Sequence, residues 1–420
     1  MFLFFSIIPC LLFLAFRNSR KSGFFIPANL FIWFNILNVV ILTLYAKVSY
    51  FAKYKIFSAM PVDDIDTTYS ITLLVYTVII ITALLSSYSL KRNLDQSQPS
   101  IITINALPLI MLFWGFLFIL IFIHFFFLDK DLLLSGNGYL GLNNPSALLL
   151  PPQMSRILHF LIKPIGLIAF IIFSFFFAIR QRLMAIIFLS LSFYPLLLIF
   201  VQNSRWLPMI LVIGLIVFHL YSSRRRIFYK FFLLSLTLVC YLKAMVGRNT
   251  RFQGLADTFE IIKKIEIDMI FAYISGIFLN AFQGAINLAN TFNLDPKYPL
   301  SYKLTSFSPF PSFVDNYAKI AQSAKIPLSP FVPVNAFGES LSFGIVYFIV
   351  FLLCIFIWLR VASRVVLSKN NMFSVFVLGF SFWITMQQSQ YSFRTSFRQM
   401  LFISCLCIIY ILINRIKLKL

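Results

Sequence analysis

Apolar residues in this chain come in long runs, one after another: 1–16, 24–46, 68–90, 104–128, 157–179, 183–202, 206–221, 228–246, 341–359, 372–386 and 398–413. A helix needs about 20 such residues to cross a hydrocarbon core, and lipid tolerates only helices or closed barrels. The pattern predicts an all-α, polytopic integral membrane protein with about 11 transmembrane helices, forming a single integral membrane domain over residues 1–420. Most connections are short. The exception is residues 247–340, one large polar loop late in the chain.

Composition agrees. Hydrophobic residues make up 60% of the chain and charged ones 11%, with a mean hydropathy of +0.90, outside the range of soluble domains. The net charge of +22 would point to nucleic acid in a soluble protein, but here the basic residues cluster in alternate short loops. These are Arg17/Arg20/Lys21, Lys91/Arg92, Arg180/Arg182, Arg224/Arg225/Arg226 with Lys230, Arg360/Arg364/Lys369 and Arg415/Lys417/Lys419. Basic residues mark cytoplasmic loops, so no nucleic-acid partner is expected. Residues 47–67, 129–156, 202–206, 247–340 and 387–397 then face outward. The first run lacks a basic leader and a cleavage site and reads as a retained span, with a signal peptide as the alternative. Cys10, Cys240, Cys354, Cys405 and Cys407 all lie in apolar runs, which suggests neither disulfides nor zinc.

The spans carry almost no acids. Ion-coupled carriers place carboxylates or paired charges at mid-membrane, whereas this chain offers only His159, Lys163 and Lys243, near the outer ends of their helices. That counts against an ion-driven carrier. His124 and His219 read as packing residues, and no nucleotide-binding glycine loop or Cys/His metal spacing occurs, so no cofactor is implied. Asp63, Asp64 and Asp66 with Thr67 and Thr68 read as a helix N-cap, with a divalent cation as the alternative.

The long loop holds the polar groups. It opens with Gly247-Arg248, Arg251 and Gly254, and continues through an amphipathic stretch at 255–267 marked by Glu260, Lys263, Lys264 and Glu266. In residues 268–292, Gly276, Asn280, Gln283, Asn287 and Asn290 recur at steps of four and three, on one helix face. Amides donate and accept, which suits sugar hydroxyls; the alternative is a helix lying on the membrane surface with that face toward water. Residues 293–335 contain seven prolines (Pro296, Pro299, Pro309, Pro311, Pro327, Pro330 and Pro333) and predict an ordered loop rather than helix. Glu339, just before a span, is the acid closest to the outer boundary; it serves either as a base or to stabilise a helix N-terminus.

Basic groups recur at the same level. Arg156, His159 and Lys163 share one face of the fifth helix, and Arg394 and Arg398 are four apart at the start of the last span. Arg205 sits in a short turn, and Arg248 and Arg251 open the loop. Arginine binds phosphate oxygens with a planar fork; lipid-headgroup snorkelling is the alternative.

In layout, and in the patterns Gly247-Arg248…Arg251…Gly254, 272–276 (AYISG) and 335–344 (NAFGESLSFG), the chain resembles the O-antigen polymerase (Wzy) class of membrane glycosyltransferases. The resemblance implies polymerisation of undecaprenyl-diphosphate-linked oligosaccharide repeat units into O-antigen or capsular polysaccharide, on the periplasmic face of the bacterial inner membrane. It implies Glu339 and Arg251 as catalytic residues, and Arg156, His159, Lys163, Arg205, Arg248, Arg394 and Arg398 at the diphosphate. Asn280, Gln283, Asn287 and Asn335 would face the glycan, with no metal. Membrane lipids, a chain-length regulator and the flippase of the same pathway are the implied partners. Rival readings differ in visible ways. A flippase has short loops on both sides, and an O-antigen ligase usually carries a histidine in its large loop, where residues 247–340 have none. An outer-sugar acyltransferase would want a histidine in its first spans, yet none occurs before His124; a channel or receptor leaves the arginines unexplained.

Overall fold

The computed structural model describes residues 2–47, 65–88, 90, 107–134, 145–204, 206–222, 227–248, 254–263, 282–310, 317–324, 326–329, 332–368 and 372–417. Over its described residues each apolar run falls mostly on one helix, except that Gly344 divides the run at 341–359 between two. In chain order these are α1 (Phe2–Ser22), α2 (Pro27–Lys47), α3 (Ile65–Ser87), α4 (Leu107–Phe127), α5 (Pro152–Ala178), α6 (Arg182–Val201), α7 (Trp206–Tyr221) and α8 (Ile227–Arg248). Within the long loop, after a short helix at Thr258–Lys263, come α9 (Gly284–Leu294), α10 (Leu300–Ser306), α11 (Tyr317–Ala324) and α12 (Ala336–Phe343). The last three long helices are α13 (Ile345–Ser368), α14 (Met372–Gln390) and α15 (Phe393–Lys417). A two-stranded antiparallel pair, β1 (Pro327–Ser329) and β2 (Val332–Pro333), is the one sheet among the described residues.

The protein is an all-α polytopic membrane protein. Seven described helices are long and apolar enough to cross a bilayer: those within α2, α3, α5, α6, α8, α13 and α15. Their outer surfaces match. α13 exposes Ile345, Val346, Ile349, Val350, Leu353 and Ile357, and turns Phe348, Phe351, Ile355, Trp358, Leu359 and Ala362 inward. An apolar exposed stripe opposite an apolar buried one is what a lipid-facing helix needs, and would be an aggregation face in water.

The described chain divides into two compact units, one of residues 1–96, 278–369 and 380–420, the other of residues 97–277 and 370–379. In the first, α2 packs on α3, and α13 packs on α3 and α15. One end of this group is tied by polar side chains: Asn18 Nδ2 donates to Asn29 Oδ1 at 2.7 Å and to Ser87 Oγ at 2.8 Å, and Arg360 donates to the Ser86 carbonyl at 3.0 Å. In the second unit α5 and α6 run together, so close at Gly166 that a methyl there would sit 2.5 Å from Pro195 Cβ. Lys243, 1% exposed, donates to the Phe200 carbonyl in the last turn of α6. A cation at a helix C-terminus offsets the macrodipole there.

Three expectations change. The proline-rich stretch is not all loop, because it contains α10 and α11. Pro299 is the N-cap residue of α10, where its missing N–H removes no helix bond and its fixed φ suits the entry. The helix that bears Asn287 and Asn290 starts at Gly284, with Gln283 just outside it, while Gly276 and Asn280 lie outside the described residues. Finally, α9 does not lie on a surface: Gly284 through Thr291 are all buried. The Gly284 N–H donates to Asn38 Oδ1 at 2.9 Å, midway along α2, so the loop folds back among the helices.

Candidate functional site

The site is assembled by helix ends within the first unit. Asn335 caps α12, its Oδ1 accepting the Gly338 N–H at 2.7 Å while its Nδ2 donates to the Gly284 carbonyl at 2.7 Å. One side chain therefore fixes the start of α12 and the start of α9 together. The cap places Glu339 in the first turn of α12, 2% exposed. α12 then ends at Gly344, whose φ of 122° breaks the chain away from α13. This short separate helix lets Glu339 point across to other segments instead of along its own.

Both carboxylate oxygens are held. Tyr302 of α10 donates its hydroxyl to Oε1 at 2.6 Å, and the Phe393 backbone N–H, first in α15, donates to Oε2 at 2.6 Å. The expected helix-capping role is thus real but is exerted on another helix, the last one. A carboxylate at the amino end of α15 satisfies an orphan N–H and meets the positive end of its dipole.

Around the carboxylate stands a pile of aromatic rings. Tyr298 stacks on Tyr302 at 5.1 Å between centroids, and Tyr302 on Tyr317 at 5.7 Å. The Arg394 guanidinium covers Tyr317 at 4.1 Å. The Tyr302 and Tyr317 hydroxyls are 3.2 Å apart. Burial pushes all three phenols above the ordinary tyrosine value, with the Glu339 charge raising them further, so they stay protonated; the Tyr298 hydroxyl meets no hydrogen-bond partner among the described residues. Arg394, 3% exposed, also donates to the carbonyls of Thr305 and, at 2.9 Å, Phe310. It therefore ties α15 to the end of α10, a placement different from a guanidinium open to phosphate.

The remaining candidates distribute as follows. Arg398, half-buried, lies one turn after Arg394. Asn287 is fully buried on α9, and neither its Oδ1 nor its Nδ2 meets a hydrogen-bond partner among the described residues; Gln283, four residues earlier, is also buried, with no capping bond from its side chain. Arg156, His159 and Lys163 fall in the first turns of α5, in the second unit; Arg156 is exposed and His159 stacks on His124 at 6.1 Å. His124 Nδ1 lies 2.8 Å from the Tyr194 hydroxyl, so this buried histidine is hydrogen-bonded and not merely packed. Arg205, Arg251 and Asn280 lie outside the described residues, as do Asp63 and Asp64, and Arg248 ends α8 with its side chain outside them.

The tyrosines went unread in the sequence. Tyr298 and Tyr302 are four apart and flank Pro299, a helix-start spacing that would have marked them as one face. Tyr317 carries no comparable signal, and the Phe393 N–H has no side-chain signature at all. We expect Asn335→Ala to cost about 2–4 kcal/mol, from loss of the cap and from leaving the Gly284 carbonyl buried and unpaired. Thermal unfolding in detergent measures it. Asn335→Asp keeps the cap but not the donor and should fall between the two.

The fold and the site define a polytopic helical membrane protein with a buried carboxylate–tyrosine–arginine junction. Compared with protein-family models, with curated proteins and with solved structures, the chain finds no match.

Proposed function

We propose that the protein is a membrane-embedded, nucleotide-independent glycosyltransferase. It joins undecaprenyl-diphosphate-linked oligosaccharide repeat units on the periplasmic face of the inner membrane, as O-antigen and capsule polymerases do. In this reading all eleven apolar helices span, the basic clusters lie in the cytoplasm, and the segment bearing α9–α12 enters the bilayer from outside. The observation that carries the reading is Glu339: a buried carboxylate anchored through one donor on each oxygen, with arginine one residue beyond its anchor.

The chemistry follows from that arrangement. A hydroxyl of the acceptor glycan attacks the anomeric carbon of the donor, and the lipid diphosphate departs with the bonding electrons. Glu339 takes the hydroxyl proton as general base. Arg398, with the field of Arg394, neutralises the leaving diphosphate by preorganised charge, and the amides of Asn287 on α9 and of Gln283 just before it meet the sugar.

The test is deletion of the gene in its host, followed by electrophoresis of the lipopolysaccharide or capsule. A polymer ladder that collapses to a single repeat supports the polymerase. Loss of every repeat supports the flippase or ligase instead, and an unchanged ladder removes the assignment.

A further inference from the structure

We infer that Tyr302 and Tyr317 are positioning residues for Glu339: two phenols in series deliver the polarisation of the Arg394 guanidinium to its carboxylate. The inference rests on the reading of Glu339 as the base.

Proton counting gives the chain its direction. A tyrosine hydroxyl has one proton to donate. Tyr302 gives it to Glu339 Oε1 at 2.6 Å. Its 3.2 Å contact with Tyr317 must then be one in which Tyr302 accepts and Tyr317 donates. Both O–H bonds therefore point toward the carboxylate, and donors in series polarise one another. At the far end, Arg394 lies 4.1 Å from the Tyr317 ring centroid, well inside the distance at which a cation acts on a π face. A cation there draws density from the phenol oxygen and makes its proton a better donor.

The geometry leaves these groups little freedom. Tyr302 is fully buried between the rings of Tyr298 and Tyr317. Arg394 is held over Tyr317 by the carbonyls of Thr305 and Phe310. Among the described residues, the Glu339 charge acts on Tyr298, Tyr302 and Tyr317, and Arg394 lies over Tyr317. The chain thus stabilises the ionised, proton-accepting form, with neither phenol touching the reacting atoms.

Infrared difference titration of the purified protein in nanodiscs tests this directly, with the protonated-carboxyl band of Glu339 assigned by its absence in Glu339→Gln. Removing a donor to the charged form makes the group titrate at higher pH. In Tyr302→Phe the midpoint should rise by about one pH unit or more, as expected for a bond to a charged acceptor. Tyr317→Phe should raise it less, in the same direction. The double variant should move no further than Tyr302→Phe alone, because Tyr317 acts only through Tyr302. Tyr317→Phe keeps both stacking contacts, so it decides the matter even where Tyr302→Phe fails to fold. An unmoved midpoint, or shifts that add independently, overturns the chain. Polymerisation assayed on the same variants separates the two claims: Glu339→Gln that polymerises normally while the midpoints move as stated refutes the base, not the chain.

Discussion

Glu339→Gln is expected to leave a folded protein that yields only single-repeat product. Glutamine is nearly isosteric. Its amide oxygen still accepts the Phe393 N–H now bonded to Oε2 at 2.6 Å. Its NH₂ can donate to the Tyr302 oxygen once that hydroxyl turns, so the junction of α10, α12 and α15 survives. What is lost is the proton acceptor, and losing a general base lowers the rate by about 10²–10⁴-fold. A chain-length ladder reads that loss sharply, because each further repeat needs another turnover. Melting of the detergent-solubilised variant provides the control. Long chains from Glu339→Gln at normal abundance would show that the carboxylate only caps α15.

The second large effect is one of packing. Gly284→Val should prevent folding. A Cβ on Gly284 would stand 2.4 Å from Ser389 Cβ, 2.8 Å from Asn38 Oδ1 and 2.9 Å from the Tyr76 hydroxyl. Those neighbours belong to three different helices, α14, α2 and α3, so relief toward one tightens another. Overpacking of this kind costs about 1–3 kcal/mol and sometimes more. Valine adds two further carbons and would also strain the Gly284 N–H bond to Asn38. Size-exclusion of a fluorescent fusion should show aggregate for Gly284→Val and a reduced monodisperse peak for Gly284→Ala. A wild-type profile for valine would mean that α9 does not pack there.

The helices were legible because hydrophobic runs of spanning length have one structural solution in lipid. The run at 157–179, for example, lies on α5, extended at its start by Pro152, a residue that opens a helix without needing its N–H. Glu339 and Arg394 were legible by rarity, as charged residues at the ends of apolar segments. The insertion of α9 was not, because Gly284 and Asn38 are 246 residues apart in sequence. An amide stripe looks the same whether it meets water or other helices. Nor was the Tyr302–Glu339 bond: it depends on the Gly344 break that detaches α12 from α13, and a glycine before a span has many other uses.

The anchoring of Oε2 by the Phe393 N–H has a consequence for biogenesis. Synthesis runs from the amino end, so Glu339 emerges more than fifty residues before the backbone group that holds it and before Arg394. A nascent protein made only as far as α14 already has the Tyr302 donor for Oε1 but lacks the backbone donor for Oε2. That oxygen gains its donor only when α15 packs against α12, so the helix made latest among those at the junction is the one that locks it.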